Sequence, residues 1–439
     1  MPKNTAPAPA PTTPSPAAAA HAEDLAAFVA ASPSSFHAAA EAARRLEEAG
    51  FTRLDEGEPW PAPAGGSYVV VRDGATIAWV VPRSATATTA VHILGAHSDS
   101  PGFKLKPKPT IGRLGWLQAG VEIYGGPLLN SWLDRELVLA GRLVLDDGTS
   151  ALAATGPLLR LPQLAIHLDR EANEHLALHK QSQTQPVWGL GTADSADILG
   201  ELAREAGVDA ARIRGYDVVT ADAARGAIFG RDGVFFASGR LDDLASVHAG
   251  VVALERAAEG HDAPHIAMLA VFDHEEIGSE TRSGAAGPFL SDALERVWLS
   301  LGADREQQLR ALAASWCVSS DVGHSVHPNY AEKHDPVVQP VLGSGPILKI
   351  NANQRYATDA AGAAAWNGWC EAAGVTSQEF VSNNAVPCGS TIGPITATRL
   401  GIRTVDVGIP ILSMHSAREL AGVSDLYDLS RVAETFFRA

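Results

Sequence analysis

One stretch, HIAMLAVFDHEEIGSETRSGA at His265–Ala285, limits what this chain can fold into more than any other. Its first part, Ile266 to Phe272, is an unbroken apolar run with the length and content of a strand buried on both faces. The run stops abruptly at Asp273-His274-Glu275-Glu276, with Gly278 and Gly284 close behind. Four ionisable side chains at the tip of a buried strand are costly unless they are paired or hold a metal. Strand ends of α/β sheets are where such folds assemble their chemistry. Acidic residues after a strand also cap helices, so the segments that accompany this one carry the decision.

The rest of the chain is consistent with such a sheet. Residues 22–31 and 36–49 have helical patterns, interrupted at Ser32-Pro33 and closed by Gly50. Tyr68–Arg72 and Thr76–Val81 predict a hairpin about Asp73-Gly74. Val91–Leu94 is a second buried strand, and it delivers Gly95-Ala96-His97-Ser98-Asp99. From Pro101 to about Phe236 the pattern becomes short strands and tight turns, with one helical stretch at 195–205. From Asp242 onward helices and strands alternate: a helix over 244–258, another near 293–301, a third over 360–373, and strands near Cys317, Ile347, Glu379 and 404–407. Alternation of this kind predicts a mainly parallel sheet flanked by helices. The expected architecture is α/β, with a catalytic domain over 22–100 and 237–439 interrupted by an inserted β-rich domain over 101–236. At 439 residues the chain is long enough for two cores.

Composition excludes several functions. A net charge of −16, with no basic stripe interleaved with aromatics, argues against nucleic-acid binding. No apolar run approaches the ~20 residues that span a bilayer. The three cysteines, Cys317, Cys370 and Cys388, form no CxxC, which fits a reducing, cytoplasmic compartment. The opening MPKNTAPAPAPTTPSPAAAA lacks the apolar centre of a signal peptide, and residues 1–21 are expected to form a disordered Pro/Ala-rich tail.

Ligand-type residues recur next to apolar strands or glycine turns at His97-Ser98-Asp99, Asp242-Asp243, Glu275-Glu276, Asp321 and His415. Singly each is weak, since a histidine beside an apolar run is usually structural and an Asp-Asp pair before a helix is usually a cap. Together they supply two histidines and three carboxylates, an inventory for two divalent ions sharing one carboxylate. Mixed His and carboxylate ligation suits a catalytic zinc, with manganese or cobalt as substitutes. Asp99, two residues past His97, is placed to orient that imidazole. One glutamate of the 275–276 pair is then left over as a general base.

The blocks GAHSDSPGFKLKP, SGRLDDLAS, DHEEIGSETRSGA, SSDVGHSVHPNY, LKINANQRYATDA, VPCGSTIGP and SMHSAREL resemble, in order, those of the aspartyl aminopeptidase family. These are co-catalytic zinc peptidases that remove acidic residues from peptide N-termini. The resemblance covers nearly all of the chain after its tail. It implies His97 and Asp321 on one zinc, Glu276 and His415 on the other, Asp242 bridging, and Glu275 as base. His274 stands where the family often has Asn and receives no ligand role.

It further implies that Lys349, otherwise readable as an outward-facing lysine on an edge strand, binds the substrate's acidic side chain. His327 is favoured over His324 as a substrate contact. His167, otherwise a surface histidine, is implied to reach a neighbouring subunit's site. The inserted domain is implied to form dimers that build a tetrahedral homo-dodecamer. Cys388 reads as a buried structural thiol and Gly389–Gly393 as a turn in the wall of the site. The same metal site would also serve a glutamyl or broad-range aminopeptidase, or an amidohydrolase acting on acylated amino acids. A non-catalytic shell with structural metals is the remaining alternative, and the spare Glu275 speaks against it.

Overall fold

The structure, a computed structural model, describes residues 13–61, 64–260 and 262–439. Its centre is a nine-stranded sheet in the order Thr52–Arg53, Ser67–Arg72, Ala75–Val80, Ile266–Phe272, Val91–His97, Trp316–Ser320, Arg403–Gly408, Ile347–Lys349 and Gln378–Phe380. The four strands from Ile266–Phe272 to Arg403–Gly408 run parallel, with Phe272 level with His97. Their carboxyl ends therefore emerge together on one side. The 75–80 and 347–349 strands join this core antiparallel, so the α/β sheet is mixed at its flanks.

Residues alternate between two cores along these strands. Leu94, Ala96, Leu269 and Val271 face a layer containing Pro16–Ala31, Ser35–Glu48, Leu241–Ala258 and Val423–Arg438. Ile93, Met268, Ala270 and Phe272 face Phe289–Ser300 on the other side. With helices on both faces, the central strands expose neither, which is why they read as continuous apolar runs. The helices Arg305–Ala314 and Val423–Arg438 match no sequence expectation. Gly389–Gly393, expected as a turn, leads through Thr391 as N-cap into a helix over Ile392–Leu400.

The expected tail is corrected in part. Residues 1–12 lie outside the described residues, but a helix begins at Pro16, inside the segment expected to be disordered. Ser15 caps it by accepting from Ala18 N (3.1 Å), and proline is tolerated at the first helical position. Alanine is the strongest helix former, and Ala18, Ala22 and Ala26 are buried with Leu25, Phe28 and Val29. The Ala-rich composition that looked disordered is a closely packed helix.

A second, antiparallel sheet takes the strands between 102 and 222. Ile213–Asp222 pairs both with Gly102–Arg113 and with Glu136–Leu145, so the sheet closes on itself as a barrel. Phe103, Leu105, Val121, Leu139 and Leu143 form its core with Ile198 and Leu202 of the helix Ile198–Ala206. The strands 227–229 and 235–238, the first inside the expected inserted segment and the second across its end at 236, do not join the barrel. They pair with Glu419–Gly422, Pro410–Leu412 and Gly323–His324 in a small five-stranded sheet. No helix among the described residues is long and apolar enough to cross a membrane.

The N-terminal helices are held by buried polar groups that respond to acid. Asp24 accepts from His248 Nε2 (2.7 Å) and Arg45 (2.9 Å), while the His21 ring packs against His248. Burial lowers the pKa of His21 to about 3 and that of His37 to about 4. Below about 6.5 the unfolded chain binds protons at these positions that the folded chain refuses until those lower values are reached. Stability should therefore fall as pH drops below about 6.5, by up to about 1.4 kcal/mol per unit for each histidine. Thermal midpoints measured from pH 7.5 to 5 should fall less steeply for His21→Gln/His37→Gln than for wild type. Equal slopes would locate the acid sensitivity elsewhere.

Candidate metal centre

The carboxyl ends of the parallel strands and the small sheet bring the ligand-type residues together. His97 is the last residue of its strand, and Glu275-Glu276 form a short turn just past Phe272, between His274 and Gly278 in left-handed conformations. Asp321 follows Trp316–Ser320, its amide bonded to Val407 O (3.1 Å). Asp242 follows Phe235–Ser238, and His415 lies in the loop between Pro410–Leu412 and Glu419–Gly422. Three of the five expected ligands thus flank strands of the small sheet.

The donor atoms form overlapping groups. His97, Asp242 and Asp321 place one donor each within 4.8 Å of one another, as do Asp242, Glu276 and His415, and as do His97, Glu275 and Glu276. His97 Nε2 lies 3.1 Å from Asp242 Oδ1 and 4.0 Å from Asp321 Oδ1. His415 Nε2 lies 3.4 Å from both Asp242 Oδ2 and Glu276 Oε2. Four donors about 2.0–2.1 Å from a tetrahedral ion are about 3.4 Å apart, within the range seen here.

Tautomers give a second test of fit. His97 Nδ1 is 3.1 Å from the Asp99 carbonyl oxygen and His415 Nδ1 is 3.0 Å from that of Gly126. A carbonyl only accepts, so both Nδ1 atoms carry the proton. Each Nε2 then faces carboxylate oxygen, as the donor of a protonated ring or, with a cation between them, as the lone pair of a neutral one. Asp242 Oδ1 and Glu276 Oε1 are buried without a hydrogen-bond partner among the described residues. Against the effect of burial, the hydrogen bond and charge of Asp242 push His415 up to about 9. The same field would draw in a metal ion. The residues present fit a divalent cation centre.

The surrounding residues fix this geometry. Asp99 orients His97 chiefly through its carbonyl, while its carboxylate accepts from Glu275 N (3.0 Å), Glu276 N (3.2 Å) and Tyr124 Oη (2.7 Å). Asp243 Oδ2 accepts from His97 N (3.2 Å). Glu419, which the sequence reading passed over in SMHSAREL, accepts from Asp242 N (3.0 Å) and His415 N (2.8 Å). One buried carboxylate thereby ties two ligand segments together, and burial followed by the charge of Asp242 lifts it to about 8. Burial and then neighbouring carboxylates raise Glu275 to about 7, despite the pull of His97. His274 instead meets Thr281 Oγ1 at 3.0 Å.

The remaining candidates occupy other surroundings. Lys349 is not on an edge: its strand is paired on both sides and its side chain is 2% exposed. Its Nζ lies 3.7 Å from Asp321 Oδ2 and 5.5 Å from the centre of the Tyr356 ring. His327 lines an adjoining groove with His324, His334, Tyr356 and Phe380. Cys388, expected buried, is half-buried in the wall of that groove. His167 is exposed on the irregular stretch after the strand Leu159–Arg160, alongside exposed Leu164, Ile166 and Leu168. It joins none of the donor groups found among the described residues.

Residues 28–437 match the family of aminopeptidase I zinc metalloproteases (M18). The chain belongs to this family. It is 52% identical over 422 residues to the "Probable M18 family aminopeptidase 2" of Streptomyces coelicolor, covering 95% of this chain and 98% of that one. A chain in the cryo-EM structure of the Ape4 and Nbr1 complex superposes with a TM-score of 0.92 at 34% identity, over 96% of this chain and 86% of that one. The structure of the S. cerevesiae mApe1 dodecamer gives a TM-score of 0.82 at 28% identity, over 95% and 96%. The chain is an M18 metallo-aminopeptidase with the α/β fold of its relatives, and the donor cluster is its candidate metal centre.

Proposed function

We propose that this M18 aminopeptidase removes N-terminal Asp, and also Glu, from peptides at a two-metal site. The observation that carries the reading is the pair of three-donor groups sharing Asp242, with Glu275 beside them. His97 and Asp321 would hold one ion and Glu276 and His415 the other, with Asp242 placed to serve both. Zinc is the expected metal, as in the family's name, with manganese or cobalt able to replace it. Bound ions would polarise the scissile carbonyl and make water a better nucleophile. Glu275 takes the proton of the attacking water and returns it to the amine nitrogen of the departing peptide. Asp99 holds the backbone of Glu275 and Glu276 in place, and Lys349 receives the substrate's side-chain carboxylate. His327, in the groove beside Tyr356, contacts the substrate.

Metal analysis of the purified protein, alongside hydrolysis of aspartyl, glutamyl and leucyl chromogenic substrates, tests this reading. Two ions per chain and a preference for aspartyl substrate are expected. A preference for leucyl substrate would replace the acidic reading with a broad-range aminopeptidase. The free cysteines fit a cytoplasmic enzyme.

The proposed assembly is a dodecamer built from dimers, joined through the barrel segment. Exposed Leu164, Ile166 and Leu168 beside His167 support an interface there, since such clusters on a surface mark association sites. In that assembly His167 serves the partner's site. His167→Phe should cut turnover while metal content stays at wild-type level. Mixing it with inactive Glu275→Gln should partly restore activity after subunit exchange, because one site of each hybrid interface has both groups intact. Proven mixing without recovery would remove His167 from catalysis in trans.

A further inference from the structure

The barrel sends one continuous segment over the metal centre. Where the strand Trp116–Tyr124 ends, the chain crosses the donor cluster before turning into the short helix Leu129–Trp132. It is bonded to the cluster's supports at four points. Tyr124 Oη donates to Asp99 Oδ2 (2.7 Å), and the Gly126 carbonyl accepts from His415 Nδ1 (3.0 Å). Leu128 N donates to His415 O (2.9 Å), and Ser131 Oγ accepts from Ala417 N (2.9 Å). Gly125, at φ +66°, passes so close that a Cβ there would lie 3.2 Å from Glu276 Cβ.

We infer that Tyr124–Ser131 is a positioning strap that sets the orientation of His415 and of the Glu275-Glu276 turn, making the inserted segment part of the metal centre within its own chain. Resting on the ligand assignment above, the inference follows from which atoms the strap touches. The Gly126 carbonyl accepts a hydrogen bond from His415 Nδ1 and so turns its Nε2 toward Asp242 and Glu276. Tyr124 fixes the carboxylate that holds the amides of Glu275 and Glu276. Leu128 and Ser131 pin the loop on either side of His415. The bonded partners lie on the catalytic side, 286 or more residues along the chain from their strap residue or, for Asp99, just before it. These four bonds all go to residues outside the barrel strands, although Tyr124 is itself paired with Gly102 in the barrel. Outer partners of metal ligands typically contribute about 10- to 100-fold in metal affinity or activity.

The test titrates zinc into the metal-free protein against a chromogenic chelator and records the thermal midpoint of the metal-free form. Tyr124→Phe should weaken zinc binding by about 10- to 100-fold with the metal-free midpoint unchanged. Ser131→Ala should weaken it by about 10-fold, and Ser131→Thr, which keeps the hydroxyl, should restore it. Wild-type affinity in both Tyr124→Phe and Ser131→Ala overturns the inference. So does an equal loss in Ser131→Ala and Ser131→Thr, or a fall in the metal-free midpoint as large as that of the loaded protein. His415→Ala in the same assay examines the underlying assignment separately. Full zinc stoichiometry there would sink the ligand reading, whereas lost zinc in His415→Ala with wild-type strap variants would sink the strap alone.

Discussion

Glu275→Gln is expected to keep its zinc and lose about 10²- to 10⁴-fold in kcat, the range typical of a missing general base. The amide has the shape of the carboxylate and leaves the backbone bond to Asp99 in place, so the turn should not move. It cannot take a proton from water. Geometry makes this variant informative, because Glu275 also falls within ligand distance of His97 and Glu276. Measured by metal analysis and turnover together, retained zinc with lost rate identifies the base. Zinc lost along with rate would make Glu275 a ligand instead. Normal turnover with zinc retained would show that the proton is handled elsewhere.

Lys349→Met is expected to lose roughly 30- to 4,000-fold in kcat/KM on an aspartyl substrate, from about 2–5 kcal/mol for removing one partner of a buried charged pair. A protein carrying −16 repels acidic substrates at long range, so selection for Asp must come from a local cation. Lys349 is such a cation, buried in the strand Ile347–Lys349. Without substrate it is not isolated, since Asp321 Oδ2 lies 3.7 Å away while Asp321 Oδ1 faces His97. The same carboxylate therefore connects the proposed specificity group to the proposed metal ligands, and zinc content has to be measured on the variant. With zinc retained, alanyl and leucyl substrates should be turned over as well as before or slightly better, because a buried ammonium no longer opposes an apolar side chain. An equal loss on acidic and neutral substrates would assign Lys349 to the fold or the metals.

Much of the central sheet was legible because its signal is local. The runs Ile266–Phe272 and Val91–Leu94 can be buried only between helices, and the polar residues that follow them can lie only at strand ends. The same reasoning fails for residues 16–21, where alanine and proline suggest disorder by composition but form the capped, closely packed start of the helix Pro16–Ala31. It also fails for Lys349, because one charge in an apolar run reads the same whether the strand is an edge or paired on both sides.

The sequence by itself determined which residues could bind metal, since His97, Asp242, Glu275, Glu276, Asp321 and His415 each announce themselves by a ligand-type side chain beside an apolar strand or a glycine. Beyond what the family resemblance implied, the spatial basis of their grouping came only with the tertiary structure. The small sheet that joins 235–238 to 419–422 carries Asp242 and His415 to one place, and Glu419 then bonds both backbones. The strap from Tyr124 to Ser131 was equally invisible, because Gly126 and Leu128 act through their carbonyl and amide groups. Every residue owns those groups, so no choice of side chain records how they are used. Side-chain chemistry is written in the sequence, whereas the direction of a backbone dipole exists only once the chain has folded.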